Sequence, residues 1–267
     1  MATRVPRARK RFGQHFLEPV WVAKLIESLS PSADDVFLEI GPGRGALTRP
    51  LAPRVARLIA VEIDRDLAAA LPAQLPGHVR IVQGDVLDVD LPELLREERH
   101  PVRVVGNLPY NVSSPILFAL LKAADEGRRF SDATLMLQKE VADRLVAKPG
   151  ATEYGVLAIQ VALRADVERI LTLPPGAFRP PPKVTSAVVR LTFRPPRTDV
   201  GDPAVFERVV RGLFLQRRKT LRKALEPVAT SLGRSASELI ERAGVDARSR
   251  PGELTLLDMA RLSRAVL

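Results

Sequence analysis

The chain has 267 residues, 46% hydrophobic and 27% charged, which is enough apolar material for a packed core and too little charge for a disordered polymer. Its 41 Lys and Arg against 31 Asp and Glu leave a net charge of +10, which points to a polyanionic partner, although a genome that favours arginine would leave the same mark. No cysteine means no disulfide and no thiolate metal site. The three histidines (His15, His78, His100) stand too far apart to form a ligand pair, and no apolar run reaches membrane length.

Residues 1–11 are short and basic, with Arg4, Arg7, Arg9, Lys10 and Arg11 and no acid: a solvated tail or a phosphate-binding arm. Strands and helices then alternate. Val36–Ile40 reads as a strand that runs into Gly41-Pro42-Gly43-Arg44-Gly45 and a helical stretch from Ala46 to about Ala56. Leu58–Ile63 is a second strand, followed by a helix capped by Asp64 with Leu67, Leu71 and Leu75 on its apolar face. Val79–Gln83 is a third strand closed by Gly84-Asp85, and Val102–Val105 a fourth closed by Gly106-Asn107. A helix starts near Pro115, Ala133–Gln138 is a fifth strand, and Val167–Leu173 with Ser186–Phe193 are a closing pair. This alternation predicts an α/β fold built on a parallel sheet. Arg194-Pro195-Pro196-Arg197 breaks the pattern, and beyond it the chain is helical. The expected domains are therefore 1–195 and 202–267, the second carrying Arg217, Arg218, Lys219, Arg222 and Lys223 in one cluster.

The glycine loop between strand and helix lets the backbone turn sharply and lets a ligand approach closely. Glu62 ends the next strand, placed to accept from a ribose diol, and Asp85 ends the third, where an adenine ring would lie. Gly41, Gly43 and Ala46 with Glu62 also fit a dinucleotide fingerprint, so a dehydrogenase competes at this point. No Gly-Lys-Ser/Thr follows, so a triphosphatase loop is unsupported.

Asn107-Leu108-Pro109-Tyr110 follows the fourth strand and argues against the dehydrogenase. An adenine amine is a poor nucleophile, because its lone pair is delocalised into the ring. Carbonyl oxygens that accept from the amine protons, on the Asn107 side chain and the Pro109 backbone, favour a pyramidal nitrogen. Tyr110 offers a stacking face worth about 1–3 kcal/mol. Taken alone, the same four residues fit an ordinary Asn-Pro turn equally well.

Several stretches together carry a resemblance. They are Arg11–Leu17 (RFGQHFL), Glu39–Gly43 (EIGPG), Asn107–Asn111 (NLPYN), Met136–Val141 (MLQKEV), Ala177–Val184 (AFRPPPKV) and Gln216–Thr220 (QRRKT). Along essentially its whole length the chain resembles the KsgA family of ribosomal RNA adenine dimethyltransferases. The resemblance implies a Rossmann-like, S-adenosylmethionine-dependent methyltransferase domain with a small all-helical C-terminal domain. It implies dimethylation of two adjacent adenosines near the 3′ end of small-subunit ribosomal RNA, within a pre-ribosomal particle. Cofactor contacts by motif position are His15, Leu17, Gly41, Gly43, Glu62, Asp85 and Asn107. Phe178 would stack on the base opposite Tyr110, completing a catalytic set of Asn107, Pro109, Tyr110 and Phe178. The Gln216–Thr220 segment would face RNA. By residue type alone Lys183 is a phosphate contact or a solvated side chain, and the Arg217–Lys223 cluster is an exposed helix face or, as its lack of acids and the net charge favour, an RNA contact. The family commonly has Asn where this chain has His15, and histidine still donates a hydrogen bond, with a charge that varies with pH. A cytoplasmic monomer without metal or membrane partner is expected. Two alternatives keep part of the resemblance: a large-subunit rRNA adenine methylase, and a non-catalytic assembly or transcription factor.

Overall fold

A computed structural model describes residues 15–125 and 130–266. The basic segment 1–11 and the Arg11–Gln14 part of the first matching stretch lie outside the described residues. The chain forms two compact units, one of residues up to Ala142 with Val167–Phe193, the other of Asp143–Asp166 with Arg194–Leu267.

The first unit begins with a two-residue strand, β1 (Phe16–Leu17), and a helix, α1 (Pro19–Leu29). Proline suits the first turn of α1, and Val22, Leu25, Ile26 and Leu29 form its buried stripe at helical spacing. All five residues of β2 (Val36–Ile40) are buried. The stretch after the glycine loop is shorter than a helix from Ala46 to Ala56. Only α2 (Thr48–Leu51) and a 3₁₀ turn (Ala52–Arg54) form, because Pro50 and Pro53 supply no amide hydrogen to a longer ladder. Then come β3 (Arg57–Glu62), α3 (Arg65–Ala70), β4 (Val79–Gln83) and α4 (Leu91–Leu94). Asp64 caps α3 by accepting from the Asp66 N–H at 3.0 Å. The unit continues through β5 (Val102–Asn107), α5 (Ser113–Asp125) and β6 (Phe130–Gln138), and enters α6 (Lys139–Val146).

The seven-stranded sheet runs β4-β3-β2-β5-β6-β9-β7, where β7 is Ala165–Leu173 and β9 is Ser186–Phe193. Neighbours from β4 to β6 are parallel, and β9 is antiparallel to β6, so the sheet is mixed at its closing edge. β1 pairs with β8 (Phe178–Arg179) in a separate antiparallel ribbon, Leu17 opposite Phe178. From β2 the chain steps one way to β3 and β4, then returns to β5 on the other side. The reversal makes β2 and β5 the switch point, where a ligand crevice opens at the carboxyl ends. Gly106 lets them close up, since a Cβ there would lie 2.8 Å from the Ile40 carbonyl oxygen.

The second unit contains α7 (Val156–Arg164), α8 (Pro203–Leu215), α9 (Leu221–Ser231), α10 (Ala236–Ala243) and α11 (Leu256–Val266). Its make-up corrects the expected continuous first domain over 1–195: residues 143–166 belong here. The physical reason is burial, since Tyr154, Ala158, Ile159 and Leu163 share a core with Val209, Leu213, Leu225 and Met259. The Tyr154 hydroxyl donates to the Leu254 carbonyl at 2.9 Å. No break signal marks either crossing, because α6 and β7 run straight through them. Among the described residues, no helix is long and apolar enough to cross a membrane.

Candidate active site at the carboxyl edge of the sheet

Two neighbouring cavities lie at the switch point. One, of about 90 Å³, is lined by His15, Leu17, Glu39, Gly41, Gly43, Glu62, Asn107, Pro109, Tyr110 and Met136, among others. The second, of about 300 Å³, is a mostly apolar slot that shares Gly41, Ile63 and Pro109 and contains Asp85.

The glycine loop carries Gly41 at φ +69° and Gly43 at φ +58°, a region in which a side chain is strained. A Cβ on Gly41 would meet no atom within 4 Å, so its backbone lies open to the cavities. The loop is held from β3: Glu62 accepts from the Gly43 N–H through Oε2 and from the Asp64 N–H through Oε1, both at 2.8 Å. The carboxylate keeps acceptor capacity beyond these amides for a ligand hydroxyl. Burial raises the Glu62 carboxyl above its ordinary value, against the pull of those amide hydrogen bonds. Asp85 spends one oxygen on the Leu87 N–H at 3.0 Å.

Glu39 is the residue that sequence reasoning passed over. It is 1% exposed, lines the first cavity, and has an Oε2 with no hydrogen-bond partner among the described residues. Burial pushes its carboxyl up to about 7, with the Glu62 charge adding to the shift and Thr48 opposing it. The available signal was a lone carboxylate inside an otherwise apolar strand, since such groups are rarely buried without a partner. A cationic ligand group is the kind of partner such a carboxylate would take. Met136, read from sequence as a strand residue, also faces this cavity.

Asn107 donates from Nδ2 to the His15 carbonyl oxygen at 2.7 Å, which leaves Oδ1 as an acceptor. The Tyr110 hydroxyl shares a 2.6 Å hydrogen bond with Ser186 Oγ, and burial raises its pKa. Phe178 departs from the implied stacking role. It is 0% exposed, packed in the core with Leu25, Phe37 and Leu51, and in this conformation it presents no face to a base. The cause is its pairing with Leu17, which turns the ring inward. Lys183 is exposed. Arg44, in the glycine loop, lies over the Phe16 ring at 4.2 Å.

In the second unit Arg218, Lys219, Arg222 and Lys223 are exposed. Arg217 is not a free cation: it donates to the carbonyls of Thr152 at 2.6 Å and Ala151 at 2.9 Å. It holds its own unit together, which corrects its placement with the RNA-facing side chains. Among the described residues, no group of three or more potential metal ligands gathers.

The switch-point crevice of the doubly wound sheet, its glycine turn, Glu39 and Glu62 near the ends of β2 and β3, and Asn107-Leu108-Pro109-Tyr110 after β5 define an S-adenosylmethionine-dependent methyltransferase. Residues 5–265 match the family model described as ribosomal RNA adenine dimethylase. A small-subunit ribosomal RNA methyltransferase A of Acinetobacter baylyi is 44% identical over 96% of this chain and 92% of its own. One from Geobacter metallireducens is 45% identical over 98% and 96%. The solved dimethyladenosine transferase of Plasmodium falciparum superposes with TM-score 0.78 at 25% identity, covering 93% of this chain and 96% of that one. The 23S rRNA methyltransferase ErmE superposes at 0.65 with 26% identity, covering 94% and 99%. The chain belongs to the family of ribosomal RNA adenine dimethylases.

Proposed function

We propose that this enzyme dimethylates two adjacent adenosines in the 3′-terminal hairpin of small-subunit ribosomal RNA, acting as a cytoplasmic monomer on a pre-ribosomal particle. The observation that carries the reading is the meeting of Asn107, Pro109 and Tyr110 with Glu39 and Gly41 around one cavity. The small-subunit names of the relatives supply the target.

When bound, S-adenosylmethionine supplies an electrophilic methyl group. Glu39 Oε2 would accept from its ammonium group, the open backbone at Gly41 would let it approach, Glu62 would accept from ribose hydroxyls, and Asp85 would meet the adenine end in the apolar slot. The target adenosine leaves its stack to reach the crevice. Tyr110 holds the base by stacking, its tilt fixed through Ser186. Asn107 Oδ1 and the Pro109 carbonyl accept from the amine protons and keep the nitrogen lone pair out of the ring. The proton lost on alkylation passes to solvent, and no strong base is required. Most of the acceleration comes from positioning. The exposed cations Arg218, Lys219, Arg222 and Lys223, together with Lys183, meet RNA phosphates.

The test is transfer of labelled methyl from S-adenosylmethionine to unmethylated small-subunit particles, with Asn107→Ala alongside. The expected product is dimethyladenosine in the 3′-terminal hairpin, lost in the variant. Label on large-subunit RNA instead would overturn the target. Particle binding with no label on either RNA would overturn the catalytic reading.

A further inference from the structure

His15 is joined to three parts of the crevice at once. Its main-chain carbonyl accepts from Asn107 Nδ2 at 2.7 Å. Its ring Nδ1 lies 2.7 Å from the carbonyl oxygen of Pro180, a group that can only accept, so Nδ1 carries the proton and donates. Its ring also stacks on Tyr110, with centroids 5.6 Å apart and planes 22° apart. The side chain thus moors residue 15 to the segment after β8 and to the tyrosine after β5. The main chain of the same residue meets the Asn107 amide.

A primary amide has two ends of nearly equal shape and opposite hydrogen-bonding sense. Were Asn107 turned over, Oδ1 would face the His15 carbonyl oxygen, two acceptors in contact, and an NH₂ group would face the incoming amine. The His15 carbonyl excludes that orientation. It can do so only while residue 15 stays in place, and on the described residues the imidazole provides its side-chain anchors. Asparagine, common in the family at this position, keeps a donor for Pro180 and has no ring to lay on Tyr110.

We propose that His15 is a positioning residue for Asn107: its imidazole, held by Pro180 and Tyr110, fixes the carbonyl that locks the Asn107 amide with Oδ1 as the acceptor for the target amine. The inference rests on the reading of Asn107 given above, and it assigns His15 a task separate from cofactor contact. In this scheme His15 touches neither base nor methyl group.

The experiment compares the full-length protein with His15→Ala, His15→Asn and His15→Phe. The first readout is the side-chain amide resonance of Asn107 in ¹⁵N-labelled protein without cofactor or RNA, assigned by its loss in Asn107→Ala. The second is kcat and KM on unmethylated small-subunit particles, with cofactor affinity measured by calorimetry. In His15→Ala the Asn107 amide pair should shift and broaden, and kcat at saturating cofactor should fall about tenfold or more, with KM for the particles within about twofold of wild type. His15→Asn and His15→Phe, each keeping one anchor, should fall between. A kcat at saturating cofactor that stays at the wild-type value in His15→Ala, with only cofactor affinity lowered, would leave His15 a cofactor contact alone and overturn the proposal. So would an Asn107 resonance unmoved in His15→Ala. The resonance needs no methylation, so it decides the coupling between His15 and Asn107 even if the RNA target is another.

Discussion

The charge on Glu62 works against ionisation of Glu39, one strand away in the sheet. Folded, Glu39 takes its proton at about 7, against an ordinary 4.5, chiefly through burial. Between those values the folded protein binds more protons than the unfolded chain, so stability falls as pH rises. The cost is absent below about 4.5 and complete above about 7, roughly 3 kcal/mol in all. Melting of the cofactor-free protein should therefore show a downward slope over that window, shallower in Glu39→Gln. Affinity for the cationic cofactor should rise with pH over the same range, and Glu39→Gln should flatten it. Calorimetry at several pH values checks both.

Asn107→Ala should lower kcat about 10²–10³-fold, the usual cost of removing one aligned polar group from a reacting centre. Cofactor affinity should change far less, because the cofactor cavity keeps Glu39, Gly41 and Glu62. Single-turnover methylation beside a binding isotherm separates the two effects.

Phe178 distinguishes packing from stacking. Phe178→Ala should destabilise the protein by about 3–5 kcal/mol, as a fully buried ring lost from the core. Phe178→Leu should cost less than about 1.5 kcal/mol and leave kcat/KM near wild type. A selective loss of kcat/KM in the leucine variant, at unchanged melting temperature, would return the ring to the base.

Neighbouring arginines should behave oppositely. Arg217→Ala strips two charge-assisted hydrogen bonds from the carbonyls of Ala151 and Thr152 and should destabilise by about 2 kcal/mol. Arg218→Ala and Lys219→Ala, both at exposed positions, should change stability by less than about 0.5 kcal/mol. Each should weaken RNA binding and reduce its salt dependence by about one counterion. Thermal melting and binding titrations at several salt concentrations tell them apart.

The parts of the crevice legible in the chain were those whose chemistry is local. Apolar runs ending on glycine, aspartate or asparagine marked β2 to β5 and put Gly41, Asp85 and Asn107 at strand ends, because strand propensity and turn chemistry act over a few residues. Burial is not local in this sense. Glu39 reads as one more residue of a strand until β3 and β5 flank it and leave its Oε2 without a partner. Phe178, a base platform by the resemblance alone and a packing aromatic by its residue type, is turned inward by its pairing with Leu17. Residues 143–166 read as part of the first domain until Tyr154 and Ile159 find their core among the C-terminal helices. The amino-acid order by itself determined most strands of the sheet, the glycine loop and the kinds of chemistry present. Only the tertiary structure decided which side chains lose water and which polar ends face each other, because desolvation and amide orientation depend on partners far away in the chain.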